Sequence, residues 1–250
     1  MKTITILGGG NMGGAIAKAV AKSYTVTVIE PLGNFNEPNV KTEKFLKDIS
    51  SDFIILAIKP QLFDDVLPEL NFDGVIISIA AGINIEKIKK MIGDNIHVIR
   101  TMPNLATSVG KGTTAICRDS STTDWEFSEA KKIFDMFGET VEVKEKDMDT
   151  VVALSGSSPA YGFMLLNAMV EFGMKNNLDY DTSLKLSANA IAGSMELALN
   201  SDKRPNELTD MVCSPNGTTI EAVNYLKNND FEQIIERAMD NCKKRSEELS

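Results

Sequence analysis

An α/β doubly wound parallel sheet followed by an all-α domain is the fold class that this sequence predicts. Three observations predict it. Residues 1–30 read as strand, glycine turn, helix and strand; strand and helix signals then alternate to about residue 145; beyond that point only helical patterning continues. The expected boundaries are 1–145 for the α/β domain and 146–250 for the helical one.

The first strand is Lys2-Thr-Ile-Thr-Ile-Leu7, and the turn after it is Gly8-Gly-Gly10-Asn-Met-Gly13-Gly14. Ala15 to Lys22 reads as a helix, and Thr25-Val-Thr-Val-Ile29 as a second strand that ends on Glu30. The order has a chemical reason. Gly8 allows a tight turn off the strand, Gly10 lets backbone approach a pyrophosphate, and Gly13 lets the helix pack closely on the strand. The helix N-terminus offers free N–H groups to the phosphate charge. Glu30, twenty residues after Gly10, stands where a carboxylate accepts hydrogen bonds from an adenosine ribose. A dinucleotide is the expected ligand.

Pro31 to Pro38 reads as a Gly/Asn/Pro loop, followed by a short polar segment. Ser51 to Ile58 is a continuous apolar run, the pattern of a parallel strand covered on both faces. Lys59-Pro60-Gln61 follows, then a helix with Leu62, Phe63, Val66, Leu67 and Leu70 on one side. Val75–Ile79 is the next buried strand, ending in Ala80-Ala81-Gly82; a helix carries Ile85, Ile88, Met91 and Ile92, and a strand covers Ile96–Arg100. Thr113–Cys117 and Thr140–Val143 read as edge strands around a helix over Asp124–Phe137. Ligands of such sheets gather outside the carboxyl ends of the strands. That singles out Gly8–Met12, Ala57–Gln61, Ile79–Gly82 and Thr101–Asn104.

In the second half a helix begins over Met148–Leu154, and Pro159–Met174 is apolar on nearly every side. Such a helix needs cover all round, which predicts contact with a second subunit. Ser214-Pro-Asn-Gly-Thr-Thr219-Ile-Glu221 carries a capping-box pattern, Thr218 with Glu221, that places a helix start at Thr219. With Ser214 and Gly217 alongside, this terminus suits a small carboxylate; the plainer reading is a cap alone. Ser155–Tyr161 is a second Ser/Gly turn opening a helix. Arg100 reads as a structural ion pair or a donor to loop carbonyls, Lys59 as either a site residue or a solvated strand end, and His97 as structural.

Composition closes off other classes. The chain has 250 residues, 43% hydrophobic and 24% charged, with net charge −9 and no long Lys/Arg cluster, so neither nucleic acid nor an anionic membrane is an expected partner. No apolar run approaches the ~20 residues of a membrane span. The chain enters a strand at once rather than a signal peptide. Cys117, Cys213 and Cys242 are odd in number and widely spaced, which reads as buried thiols in the cytoplasm; no metal site is expected.

Taken in order, six motifs resemble the pyrroline-5-carboxylate reductase family. They are Ile6-Leu-Gly-Gly-Gly-Asn-Met12, Ala57-Ile-Lys-Pro-Gln61, Ser78-Ile-Ala-Ala-Gly82, Arg100-Thr-Met-Pro-Asn104, Leu154-Ser-Gly-Ser-Ser-Pro-Ala-Tyr161 and Val212-Cys-Ser-Pro-Asn-Gly-Thr-Thr219. The resemblance implies a Rossmann-type domain and a helical dimerisation domain, with dimers often assembled into larger rings. It implies hydride transfer from NAD(P)H to 1-pyrroline-5-carboxylate, giving L-proline. By the same resemblance Leu7, Gly8, Gly9, Gly10, Asn11, Met12, Ala57, Ile58, Lys59, Pro60, Ile79, Ala80 and Ala81 contact the dinucleotide. Ser214, Gly217, Thr218 and Thr219 hold the substrate, with Thr219 the hydrogen-bond partner near the ring nitrogen. Glu30 predicts NADH over NADPH, because a carboxylate repels a 2′-phosphate and no arginine follows it.

Four departures from the family pattern bear on substrate geometry and identity rather than reaction type: Ser158 and Asn216 where glycine is usual, Leu105-Ala106 where Thr-Pro is common, and Met211 where asparagine is frequent. A divergent paralogue acting on another small carboxylated imine is one alternative. A β-hydroxyacid dehydrogenase is a second, but that family carries a lysine in the first long helix of its second domain, and Pro159–Met174 has none. A dinucleotide sensor without turnover is the third.

Overall fold

The computed structural model describes residues 1–45 and 49–249. The α/β part contains β1 (Thr3–Leu7), α1 (Asn11–Val20), β2 (Thr25–Ile29), β3 (Val40–Glu43), β4 (Phe53–Leu56), α2 (Phe63–Val66), β5 (Val75–Ser78), α3 (Ile85–Ile92), β6 (His97–Met102), β7 (Gly112–Arg118), α4 (Asp124–Asp135) and β8 (Gly138–Glu142). Helical elements follow: α5 (Met148–Val151), a π-helical turn Val152–Gly156, α6 (Ser158–Lys175), α7 (Tyr180–Leu199), α8 (Pro205–Val212), α9 (Thr218–Asn228) and α10 (Phe231–Glu247).

The eight strands form one sheet in the order β3-β2-β1-β4-β5-β6-β7-β8. Pairing is parallel except between β6 and β7, where Arg100 lies opposite Cys117 in an antiparallel register. Strand order runs outward from β1 in both directions, so the crevice beside β1 and β4 is the topological switch point.

Alternate residues of the central strands serve two cores. On β4, Phe53 and Ile55 face α1 and α4, with Ile16, Val20, Ile133 and Phe134; Ile54 and Leu56 face α3 with Phe63, Leu67, Ile85 and Ile88. All four β4 side chains are fully buried. At about 1.5–3 kcal/mol per buried aliphatic or phenyl group, packing on two faces, rather than local propensity, holds a strand of four residues.

Several local expectations change. The polar segment after Pro38 is a strand, β3, paired with β2. The helix expected after Gln61 is broken into 3₁₀ turns at Pro60–Leu62 and Leu67–Glu69 around α2, because Pro68 supplies no amide to the ladder. β7 is not an edge strand, since β8 pairs beyond it.

The chain forms two compact units. One is Met1–Pro159 together with the end of α10 from Asn241; the other is Ala160–Asp240. Within the second, Asp179 caps α7 by accepting the Thr182 amide at 2.9 Å, and Pro205 opens α8. Its helices leave Phe163, Met164, Phe172, Leu186 and Met195 exposed in the single chain. Among the described residues, no helix is long and apolar enough to cross a membrane.

Candidate functional site

The glycine turn off β1 can be understood one residue at a time. Gly8 has φ +104, and a Cβ there would lie 2.6 Å from the Ala57 carbonyl oxygen. Its amide donates to the Ile29 carbonyl at 2.9 Å, carrying the β1–β2 ladder into the turn. A Cβ on Gly13 would overlap the Gly8 carbonyl, so this glycine sets the approach of α1 to the sheet. Phe35, half-buried in a largely exposed loop, accounts for two more: Cβ atoms on Gly9 and Gly14 would fall 2.9 and 3.0 Å from its side chain. Gly10 is different. A Cβ there would meet nothing within 4 Å. Packing among the described residues gives Gly10 no reason to be glycine; an approaching ligand would.

Gly10 is also the N-cap of α1, which begins at Asn11, four residues earlier than the expected start at Ala15. The first-turn amides, at Asn11, Met12 and Gly13, therefore belong to a helix terminus beside the open glycine. Glu30 follows β2 directly. Its carboxylate accepts from the Gly9 amide at 2.8 Å and from the Leu32 amide at 3.3 Å.

The other predicted dinucleotide loops leave the same edge of the sheet. Ala57 donates to the Leu7 carbonyl at 2.9 Å, and Ile79 to the Leu56 carbonyl at 3.3 Å, so Ala57–Pro60 and Ile79–Ala81 extend the ends of β4 and β5 next to β1. Lys59 is exposed and precedes the 3₁₀ turn that starts at Pro60. Leu7 is buried, its side chain in the core beneath the turn. The fold thus gathers Leu7–Met12, Glu30, Ala57–Pro60 and Ile79–Ala81 at the carboxyl ends of four neighbouring strands.

Ser214, Gly217, Thr218 and Thr219 lie in the second unit, at the start of α9. The expected capping box is absent: α9 begins at Thr218 with Gly217 as N-cap, and no side chain bonds the cap position. The extended Gly217 backbone takes that role, moving Thr218 into the first helical position and Glu221 one residue too far along for the box. Gly217 donates to the Ser214 carbonyl at 3.0 Å, closing a turn in which Asn216 has φ +56. Asparagine is the non-glycine residue best suited to this left-handed conformation, so the departure at 216 preserves the turn. Thr219 is half-buried and Ser214 exposed. The terminus presents the amides of Thr218, Thr219 and Ile220 and the hydroxyls of both threonines, a set able to hold a carboxylate.

The remaining singled-out residues are structural. Arg100, 3% exposed, lies 3.7 Å from both Glu145 and Asp149. His97 contacts the Glu126 carboxylate through Nδ1 at 2.8 Å, while Glu126 completes the capping box of Thr123 at α4. Burial pushes the Glu126 carboxyl up, but bonds from Thr123 and His97 outweigh this and hold it below its ordinary value. Asn104 accepts the Ala106 amide at 3.2 Å, a bond that proline at 106 could not provide. Ser158 begins α6, where no left-handed backbone calls for glycine. Of the thiols, Cys117 is buried, and burial with the nearby Glu145 pushes it up to about 12; Cys213, the C-cap of α8, and Cys242, within α10, are only half-buried, contrary to expectation. Sequence reasoning missed Phe35, whose one signal is a lone aromatic in a Gly/Asn/Pro loop.

Residues 145–249 match the family model described as pyrroline-5-carboxylate reductase dimerisation, and residues 3–82 match that of the coenzyme F420-dependent NADP oxidoreductases. The chain is 33% identical to pyrroline-5-carboxylate reductase of Escherichia coli, covering 100% of this chain and 98% of the relative. It is 35% identical to the Synechocystis enzyme, with 98% and 97% covered. Among solved structures, 1-pyrroline-5-carboxylate reductase of Streptococcus pyogenes superposes with a TM-score of 0.91 at 29% identity, covering 99% of this chain and 98% of that one. The Plasmodium falciparum pyrroline carboxylate reductase, solved with NADP bound, gives 0.89 at 26%, with the same coverage. With full-length likeness at this identity, and with the glycine turn and the Ser214–Thr219 turn both in place, the chain belongs to the pyrroline-5-carboxylate reductase family.

Proposed function

We propose that this chain reduces 1-pyrroline-5-carboxylate to L-proline, the last step of proline biosynthesis. The observation that carries the reading is the open Gly10 at the N-terminus of α1, a cradle that a Cβ would fill and that nothing among the described residues occupies. NAD(P)H supplies the hydride, delivered to C5 of the ring imine. Gly8–Met12, Ala57–Pro60 and Ile79–Ala81 hold the dinucleotide. The α9 terminus, with Ser214, Gly217 and Thr218, binds the substrate carboxylate, and the Thr219 hydroxyl donates to the ring nitrogen as it gains electron density. The ring imine, protonated from solvent, is already electrophilic, and hydride addition at C5 turns it directly into the neutral amine. Orientation with one donor therefore suffices, and no His, Lys or Tyr acid is required.

NADH is the preferred donor in this reading, since the Glu30 carboxylate stands at the end of β2 where an adenosine ribose belongs. One observation favours NADPH instead: Lys44 Nζ lies 3.7 Å from where a Gly33 Cβ would be, which brings a cation to the loop after Glu30. Kinetics with both cofactors decide between them. The helical region from residue 146 carries the substrate turn and the subunit contact, as a dimer or a ring of dimers. Its exposed apolar α6 supports this assignment.

The test is loss of NADH absorbance when purified protein meets pyrroline-5-carboxylate. Thr219→Ala is expected to lower kcat ~10–100-fold, the worth of one hydrogen bond made in the transition state. Tight NADH binding without turnover would replace this reading with that of a sensor.

A further inference from the structure

The end of α10 belongs to the α/β unit rather than to the unit Ala160–Asp240 that holds the rest of the helix. From Asn241 onward the chain joins the α/β unit, where its last described turn lies against Gly82 at the close of the Ile79–Gly82 loop. Gly82 has φ +70, and a Cβ there would come 2.6 Å from the Leu249 Cβ and 3.0 Å from the Ser246 carbonyl. Loop and helix end therefore meet over a bare Cα.

Polar bonds fasten this contact on both sides. Lys87 Nζ, from the first turn of α3, donates to the Leu249 carbonyl at 3.1 Å. The buried Ser246 hydroxyl donates to Asp149 at 2.6 Å. Glu145 accepts the Ile85 amide at 2.7 Å, and Asn84 the Lys87 amide at 2.8 Å, so the α3 terminus just after Gly82 is anchored as well. At the other end of the loop the Ala80 amide donates to the Ser78 hydroxyl at 3.3 Å.

We propose that Ser246–Leu249 is a positioning element for the Ile79–Gly82 loop, holding it ready for the dinucleotide without touching the cofactor. The inference rests on the dinucleotide reading of that loop. Glycine in a left-handed conformation has many alternatives, and an unsupported loop would surrender that freedom only when the cofactor binds. Leu249 and Ser246 remove those alternatives in advance, so the effect belongs in cofactor affinity rather than in the chemical step.

The test uses the full chain with Leu249→Ala, Leu249→Met and Lys87→Met, titrated with NADH by fluorescence and followed by steady-state kinetics and thermal melting. Leu249→Ala and Lys87→Met are expected to raise the NADH Kd and the cofactor KM ~3–10-fold, with kcat and substrate KM within ~2-fold and Leu249→Met close to wild type. Lys87→Met keeps the aliphatic stem and carries the test alone if Leu249→Ala does not fold. Folded variants with wild-type NADH affinity, whatever their melting temperature, overturn the proposal, as does a fall in kcat with affinity unchanged. Wild-type protein that binds no dinucleotide overturns the functional reading and this proposal together; wild-type turnover with unaffected variants overturns this one alone.

Discussion

The Glu30 carboxylate accepts the Gly9 amide at 2.8 Å, so the acid that follows β2 is bonded to the glycine turn that follows β1. In the proposed reading two roles then meet in one side chain: it fixes the turn and it places negative charge near the cofactor ribose. Substitution separates them. Glu30→Gln keeps an acceptor for Gly9 but removes the charge, and is expected to shift the NADH:NADPH ratio of kcat/KM toward NADPH by ~10-fold, about 1.4 kcal/mol. Glu30→Ala loses both roles and should weaken both cofactors. Kinetics with each dinucleotide check this, and an unchanged ratio in Glu30→Gln would remove charge from the account of cofactor choice.

The glycines of the turn should separate into ligand and packing classes. Gly10→Ala meets no atom of the described residues within 4 Å and is expected to melt within a degree or two of wild type, about 0.5 kcal/mol at most, while losing dinucleotide affinity ~10-fold or more. Gly13→Ala drives a methyl into the Gly8 carbonyl and should cost about 1–3 kcal/mol of stability. Melting curves beside NADH titrations read both effects. A Gly10→Ala protein with full affinity would place the pyrophosphate elsewhere.

What could be read from the sequence follows from how each element is held. Strands such as Phe53–Leu56 are buried on both faces and announce themselves as apolar runs. β3, Val-Lys-Thr-Glu at the sheet edge, has almost no apolar signal and is fixed by its ladder to β2. The glycine turn was legible because its chemistry demands residue types at set spacings. Phe35 was not, because its role is a contact with Gly9 and Gly14 that only the folded loop creates. The start of α9 was misplaced by one residue for a related reason: Thr218 and Glu221 fit a side-chain cap, but the backbone turn through Asn216 supplied the terminus first.

Asp119 gives an acid-sensitive joint. It accepts the Thr122 hydroxyl at 2.7 Å, the Thr122 amide at 2.9 Å and the Ser121 amide at 3.1 Å, and it pairs with Lys89 of α3. Burial alone pushes its carboxyl up, but the bonds from Lys89, Thr122 and Ser121 outweigh that and hold its pKa below the ordinary 3.8. A depressed folded pKa means that the stabilisation is complete above 3.8 and is lost as pH falls through the lower folded value. Asp119→Asn, which keeps one acceptor oxygen, is expected to cost about 1 kcal/mol at neutral pH. Urea midpoints of variant and wild type should converge as pH drops well below the carboxylate range. A constant gap across pH would show that the lost charge contributes nothing.

Helix α6 leaves Phe163 58%, Met164 73% and Phe172 69% exposed in the single chain. Large apolar groups crowded on one helix are the expected mark of a subunit contact. Burying each against a partner would contribute about 1.5–3 kcal/mol. A charge at the same place would have to be desolvated without a counter-ion. Phe172→Glu is therefore expected to raise the dissociation constant of the assembly ~100-fold, equivalent to about 2.7 kcal/mol. Val109, 74% exposed on the α/β unit, provides the control: Val109→Glu adds the same charge at a similarly open site and should leave the assembly intact. Sedimentation or light scattering over a concentration series distinguishes the two. If both variants dissociate alike, net charge rather than the α6 surface governs assembly; if neither does, the contact lies on other helices of the unit.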